Sequence, residues 1–543
     1  MDAKPPRPRR SSSARLPRNT HRSQEGSGKT RVSEPTTHRE VERKLRVHAL
    51  YRIPPLAGCH PSISAVSPQP AVTMTAVYHD TDDLTLFRWG ITLRRREGGA
   101  DEGWHIKFPV DGSDSHARDE LQLSLSEGAI GEVPAAYRDL VSALVRQQSL
   151  GPVVTLRTER HPYHLLDSQG RLVAELVDDT VAILDGGRVA SSFREIEIEE
   201  CDVEVRATDD LLDALVSVLA AEGATPGSTS KAAGALGPRA SAPPDIPEPE
   251  WPGPDEPSSE AVRALLAIHT RRLLLQDVRF RRDLPDAVHQ MRIAIRRLRS
   301  GLKVFRDLVD EEWAAQLRTE LGWAASQLGL ARDTEVLTER LRGHAQQLDD
   351  TDSHRAWNAL APWLEERTET ARLHALNALR TERCANLLQS LVDACANPQL
   401  TELADHPCNE TLPPLMHSAY RRLNRVVSEL TDTSPSADWH EARIDAKRAR
   451  YAMEAVVPIF GEKARVIATD FAAVTDILGD HQDAYVAQEA IRERMGLGGV
   501  DADTAFSLGL LHGLEVRDEL QLRIDFWQVW PSVRATYRKH RIG

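Results

Sequence analysis

Three glutamates alternate along Glu195-Ile196-Glu197-Ile198-Glu199, and two more, Glu40 and Glu42, stand just ahead of Lys44. In a β-strand, residues two apart share a face, so each run sets its carboxylates side by side. Such neighbours repel unless a cation neutralises them. Carboxylate oxygens suit hard divalent cations such as Mg²⁺ or Mn²⁺. A set of opposite sign lies between the two runs. Arg94 and Arg96 share one strand face, and Lys107 with His105 opposes Trp104, Ile106 and Phe108. Guanidinium and ammonium groups hold phosphate oxygens. An ordinary sheet with one wet face accounts for any single strand. The whole set fits a closed barrel with its charges inward, where a metal-bridged triphosphate completes the balance.

A second constellation is helical. His289, Arg292, Arg296, Arg299 and Lys303 stand at offsets 0, 3, 7, 10 and 14. On an α-helix these positions fall within roughly an 80° arc. His440, Arg443, Lys447 and Arg450 repeat the first four offsets, and Glu454 takes the fifth. Leu328-Gly329 followed by Asp333 is likewise matched by Leu478-Gly479 followed by Asp483. The region is therefore an internal duplication. One charged stripe is usually a solvated face. Two in matching frame, each paying the cost of like charges at i+3 and i+4, point to a polyanion that removes that cost. DNA or RNA would also serve, but no aromatic residues interleave for base stacking. Lys447 stands where the first repeat has Arg296, a point charge in place of a bidentate fork.

The elements that must position these residues follow from composition and punctuation. The chain has 543 residues, 68 Lys/Arg against 81 Asp/Glu and a net charge of -13, which disfavours a dedicated nucleic-acid binder. Five scattered cysteines without a CxxC pair argue against a disulfide or zinc scaffold. No apolar run reaches the ~20 residues of a membrane span, and no signal peptide is visible. Residues 1–38 carry nine Lys/Arg against three Asp/Glu and almost no large apolar residues, so a disordered basic tail is expected. Residues 39–231 alternate as strands. Residues 232–258, with seven prolines from Pro243 to Pro257, read as a linker. Residues 259–540 are helical, in repeats of about 259–400 and 410–540. The expected class is α+β multidomain.

The first half resembles the CYTH, or triphosphate tunnel metalloenzyme, superfamily. The likeness rests on Glu40-Val41-Glu42-Arg43-Lys44 and on an ordered series after it. That series runs through Tyr78-His79-Asp80-Thr81, Leu93-Arg94-Arg95-Arg96, Trp104-His105-Ile106-Lys107, Arg118-Asp119-Glu120, Arg157-Thr158-Glu159-Arg160, the 193–199 run and Ser230-Lys231. The resemblance implies an eight-stranded antiparallel β tunnel with flanking helices that acts on a triphosphate with Mg²⁺ or Mn²⁺. Glu40, Glu42 and Lys44 would be catalytic. Glu40, Glu42, Glu197, Glu199 and Glu195 would be the metal ligands. Lys44, Arg94, Arg96, Lys107 and Arg160 would bind substrate, with Arg118, Arg157 and Lys231 as weaker candidates. Arg95 departs from the usual apolar outward residue.

The second half resembles the CHAD family, on residues 288–299, Trp439-His440-Glu441-Ala442-Arg443, residues 447–451 and the two LGxxxD elements. This implies a duplicated all-α bundle around a basic pore that binds inorganic polyphosphate. His289, Arg292, Arg296, Arg299, His440, Arg443, Lys447 and Arg450 would line it, joined by Arg297, Arg332, Arg448 and His481. The combined expectation is an inorganic triphosphatase, splitting tripolyphosphate into pyrophosphate and phosphate, whose helical half holds polyphosphate. It would be cytoplasmic, without a membrane partner, and associated with polyphosphate granules. A non-catalytic polyphosphate adaptor, or a hydrolase of thiamine triphosphate or ATP, stands as the alternative. Oligomeric state stays open.

Overall fold

The computed structural model describes residues 36–110, 117–201, 209–227 and 230–542. The expected basic tail, but for its last three residues, lies outside them.

Among the described residues ten strands form one sheet: β1 (Thr36–Val47), β2 (Ala65–Pro68), β3 (Val72–Asp80), β4 (Thr92–Glu97), β5 (Gly103–Pro109), β6 (Ala117–Leu123), β7 (Gly151–Leu166), β8 (Leu172–Asp185), β9 (Arg188–Glu200) and β10 (Thr225–Pro226). The order β1-β6-β5-β4-β3-β7-β8-β9 is closed by a β1–β9 pairing, with every neighbour antiparallel. This is the expected eight-stranded tunnel; β2 and β10 only extend its ends, on β7 and β1. Closure removes the exposed sheet edge. It also gives each strand an inward and an outward face.

The outward faces are apolar where other elements cover them. Leu176, Ile196 and Ile198 pack on Leu211, Leu212, Leu215 and Leu219 of a helix at Asp209–Ala221. Leu93, Trp104, Ile106, Phe108 and Leu121 share a core with Leu265, Leu266, Leu273 and Leu274 of the helical half. Arg95, the unusual outward residue, pairs with Glu97 and donates to the Gly128 carbonyl.

The helical half begins with α1 (Ser258–Arg281), α2 (Ala287–Val304), α3 (Glu311–Ala345), α4 (Asp350–Leu379) and α5 (Glu382–Ala396). It continues with α6 (Cys408–Glu429), α7 (Ser436–Phe460), α8 (Glu462–Gly496) and α9 (Ala502–His540). Consecutive helices pack pairwise in both halves, so α1–α4 and α6–α9 match and α5 stands between. Side chains of Asp310, Asp349 and Asp501 cap α3, α4 and α9 by accepting from backbone N–H groups in their first turns. The repeats meet along α2 and α7, where Arg297 pairs with Glu454, the residue that breaks the second stripe.

Residues 232–258 do not behave as a free linker. Ser230 caps a helix at Lys231–Leu236, and a 3₁₀ turn at Gly237–Ser241 follows. These close one side of the tunnel, with Ala232 and Ala240 buried against it. Beyond them Ile246 is buried, and Asp245 pairs with Arg146 and accepts from Trp89 Nε1 at 3.2 Å. An apolar anchor and an ion pair hold this segment in the seam, which proline content alone does not reveal.

The two halves are docked. Asp139, on a short helix at Ala135–Leu140, accepts from Arg281 at 2.8 Å and from Arg380 at 2.8 and 3.0 Å. Arg282 pairs with Asp119 at 2.9 Å and lies over the Phe108 ring at 4.2 Å. Asp139→Ala should lower unfolding stability by about 2 kcal/mol in denaturant titrations, because the buried Arg281 guanidinium loses one of its two carboxylate partners and Arg380 loses its own. The Arg281 and Arg380 charges hold the Asp139 carboxyl below its usual range against the pull of burial. The loss should therefore be full at neutral pH and fade as acid protonates that carboxyl.

Candidate functional site

The inward faces enclose a cavity of about 310 Å³. Glu42 and Lys44 reach it from β1, Thr92, Arg94 and Arg96 from β4, and Lys107 from β5. Arg118 comes from β6, Thr158 and Arg160 from β7, Glu197 and Glu199 from β9, and Lys231 from the closing helix. Strand register sets two carboxylates against each other and then two pairs of opposite charge. Glu42 lies opposite Glu199, Lys44 opposite Glu197 and Arg46 opposite Glu195. Glu40 is placed by its backbone opposite Arg118; its side chain lies outside the described part.

Glu197 is the hub of the wall. Its carboxylate meets Lys44 at 2.6 Å, Lys231 at 2.6 Å and Arg160 at 3.1 Å. Burial pushes this carboxyl up, but Lys231, Lys44 and Arg160 outweigh it and hold it well below the usual range. Lys44 is likewise held high: burial opposes its charge, and Glu197 and Glu42 more than restore it. Across the cavity the balance differs. Burial, then the charges of Arg94 and Arg160, pull Arg96 down to about 9. That side has cations in surplus, as an anion site requires. Glu120 steadies it, 3.6 Å from Arg94, 3.5 Å from Lys107 and 2.7 Å from His105 Nδ1.

Three expected tunnel residues stand differently. Glu195 does not reach the cavity wall; its carboxylate is buried against Lys231 at 3.0 Å and Arg46 at 3.7 Å. Strand parity gives its face but not its depth along the tunnel. Arg157 is exposed, because it is three residues from Arg160 and therefore points outward. Glu197 is on the wall, yet three cations already occupy its oxygens. Sequence reasoning also missed Asp179. It is fully buried, grips Arg160 through two hydrogen bonds of 2.9 and 2.7 Å, and meets Lys231 at 2.9 Å. Its neighbour Asp178 breaks the alternation there, so no face could be assigned.

A second cavity of about 690 Å³ lies between the helical repeats. His289, Arg292, Arg296, Arg297, Arg332 and Arg340 line it from the first repeat. His440, Arg443, Lys447 and Arg450 line it from the second. Asp333, Asp476, Asp480 and Asp483 also face it, so its walls are mixed in sign but richer in cations. Arg292 meets Asp333 at 3.0 Å and Arg450 meets Asp476 at 3.0 Å. Among the described residues no carboxylate stands within ion-pair distance of Arg296, Arg443 or Lys447, and the buried Nε atoms of Arg296 and Arg443 lack hydrogen-bond partners. Burial, then the Arg443 and Arg296 charges, pull the Lys447 ammonium down to about 7.

Here too the expectation needs correcting. Arg299 is exposed beside Gly322 of α3 and does not line the cavity. It sits at one edge of the cationic arc, and the cavity opens toward the other, where Ile293 and Arg297 lie. Arg448 turns to Asp445 instead. His481 is buried between Trp439 and Glu519, away from the cavity.

A charged antiparallel tunnel docked on a duplicated helical bundle with a cationic seam defines a two-domain phosphate-handling class. A CYTH domain matches residues 38–233 and a CHAD domain residues 264–492. Two Mycobacterium tuberculosis proteins, MT2285 and Rv2226, are each 33% identical over 502 residues, covering 89% of this chain and 93% of theirs. The chain belongs to this bacterial family of CYTH–CHAD proteins. Solved structures similar to it include PptA from Streptomyces chartreusis, 24% identical with a TM-score of 0.44, covering 51% of this chain and 100% of that one. The CHAD domain of the plant Ricinus communis is 23% identical with a TM-score of 0.43, covering 53% and 94%. Membership carries a coarse function: triphosphate chemistry in a tunnel that uses divalent metal ions, and polyphosphate binding by the helical half. Among the described residues no helix is long and apolar enough to cross a membrane.

Proposed function

We propose that the tunnel hydrolyses inorganic triphosphate to pyrophosphate and phosphate, while the helical cavity holds inorganic polyphosphate. The observation that carries this reading is the convergence of Lys44, Arg94, Arg96, Lys107, Arg118 and Arg160 on one small cavity that also presents Glu42 and Glu199.

These two carboxylates fit a divalent ion. Among the described residues no three His, Cys, Asp or Glu side chains stand close enough to hold a metal by themselves. Mg²⁺ ordinarily takes one or two carboxylates and completes its shell with phosphate oxygens and water. Glu42 and Glu199, in register on paired strands, supply that pair, and Glu40 stands two residues ahead of Glu42 on β1. Bound there, the ion would offset charge on the substrate and make water a stronger nucleophile. The chain's own groups do the rest. Arg94, Arg96 and Lys107 hold one end of the triphosphate. Lys44 and Arg160, fixed by Glu197 and Asp179, counter the charge that builds on the leaving pyrophosphate. Glu42 orients the attacking water.

A second reading is favoured by one patch. Ala76, Phe87, Leu156 and Ala240 form an apolar wall that the organic part of thiamine triphosphate or ATP could use. Phosphate release from tripolyphosphate, ATP and thiamine triphosphate with Mg²⁺ or Mn²⁺ separates the two. Tripolyphosphate should show the highest kcat/KM; preference for an organic triphosphate would replace the inorganic reading.

The helical cavity predicts a pH effect. Lys447 loses its proton near pH 7 in the free protein, and a polyanion favours the charged form. Polyphosphate binding should therefore take up a proton and weaken as pH rises from 6 to 8, by up to about tenfold. Lys447→Arg should flatten that profile. Affinities titrated across this range test it.

A further inference from the structure

Helix α9 is apolar on two faces: its inner face buries Leu508, Leu511, Phe526 and Trp530 in the core. A surface helix normally turns apolar residues to the core and charges to water. Here Glu515 and Glu519 are buried, the first against Arg340 and His344 at 2.6 Å each, the second against Gln488 at 2.7 Å and Arg523 at 2.8 Å. The solvent face also carries apolar residues, Phe506, Leu510, Leu520 and Ile524, which are 61%, 38%, 55% and 51% exposed. Gly509 and Gly513 lie on the same face, where an added Cβ would meet nothing within 4 Å. Helix α4 holds the matching place in the first repeat. Its exposed residues include His354, Arg355, Asn358, Glu365, Glu366 and Glu369, so the duplication does not require an apolar outer face.

The stripe is palindromic. Leu510 and Leu520 lie five residues either side of Glu515, Phe506 and Ile524 nine, and Gly513 and Arg517 two. Offsets of 4, 7, 11, 14 and 18 from Phe506 keep all six within roughly an 80° arc over ~27 Å of helix. Set antiparallel against itself about the level of Glu515, the helix brings Phe506 to Ile524 and Leu510 to Leu520. The bulk of Arg517 falls over Gly513, which has no side chain to clash. A membrane surface is a poor occupant, because Asp503, Asp518 and Asp525 flank the stripe where a lipid-seeking helix carries lysines and arginines.

We propose that this face docks a second copy of the chain, α9 against α9 antiparallel, forming a two-fold dimer. The exposed side chains amount to roughly 400 Å² per copy against ~800 Å² in a standard interface. An interface this small is a weak one, so self-association should fall in the micromolar range rather than the nanomolar. Sedimentation velocity of the full chain across that range should show a monomer–dimer equilibrium. Leu510→Glu and Leu520→Lys, both at exposed positions, should each weaken dimerisation at least tenfold. An equimolar mixture of the two variants should restore it, since each glutamate then faces a lysine and the remaining leucines face each other. A wild-type chain that stays monomeric, single variants that dimerise normally, or a mixture that fails to recover would each overturn the proposal. Recovery in the mixture also shows that the variants fold.

Discussion

Replacing Glu197 by Gln is expected to lower kcat for triphosphate hydrolysis about 100-fold while KM falls rather than rises. The carboxylate holds Lys44, Lys231 and Arg160 at the cavity wall. In the free protein it also competes with substrate for them. A neutral amide releases that competition, so triphosphate binds more tightly, but the cations lose the fixed positions that favour the transition state. Stability should move as well. A carboxyl held below its usual range stabilises the fold at neutral pH, and the benefit disappears as pH falls through its depressed pKa. The variant should therefore melt lower than wild type at pH 7 and approach it in acid. Steady-state kinetics with tripolyphosphate check the first part. A rise in KM would mean that Glu197 serves substrate binding directly, against the grip seen here.

The second large effect concerns the helical cavity. Arg292→Ala together with Arg443→Ala should weaken polyphosphate binding 100-fold or more, at about 1.5–3 kcal/mol per charge-assisted contact. The dependence of log affinity on log salt should lose about 1–2 of its slope, because two phosphate-neutralising cations are gone. Arg299→Ala should change neither, since that side chain lies outside the cavity. The double variant should also flatten the pH profile, because both arginines depress the Lys447 ammonium. Normal affinity in the double variant would remove the cavity as the polyphosphate site.

How far the sequence carried these conclusions depended on periodicity. Parity along a strand correctly grouped Glu42 with Lys44, Arg94 with Arg96, and Glu197 with Glu199. The same parity separates Arg157 from Arg160 and could have excluded Arg157. Parity says nothing about depth, so Glu195 looked equivalent to Glu197 although it ends in a buried ion pair. Asp179 stayed hidden because an adjacent aspartate masked its face. The β1–β9 pairing that closes the tunnel joins residues 147 to 157 apart, and no local pattern encodes it. On the helical side the repeated offsets placed seven of nine stripe residues on the cavity, all but Arg299 and Lys303. Arg299 failed because an arc has two edges, and only packing decides which one the partner helix meets. The proline-rich segment misled in the same way: its composition describes an unbound chain, while Ile246 and Asp245 anchor it.

The central claim is that the inward carboxylates and cations of the tunnel act together on a triphosphate. Phosphate release from tripolyphosphate by wild type and Glu42→Ala, with and without Mg²⁺ or Mn²⁺, tests it most directly. Release should require the cation in wild type and fall about 100-fold or more in the variant. Equal turnover by the two proteins would contradict the account.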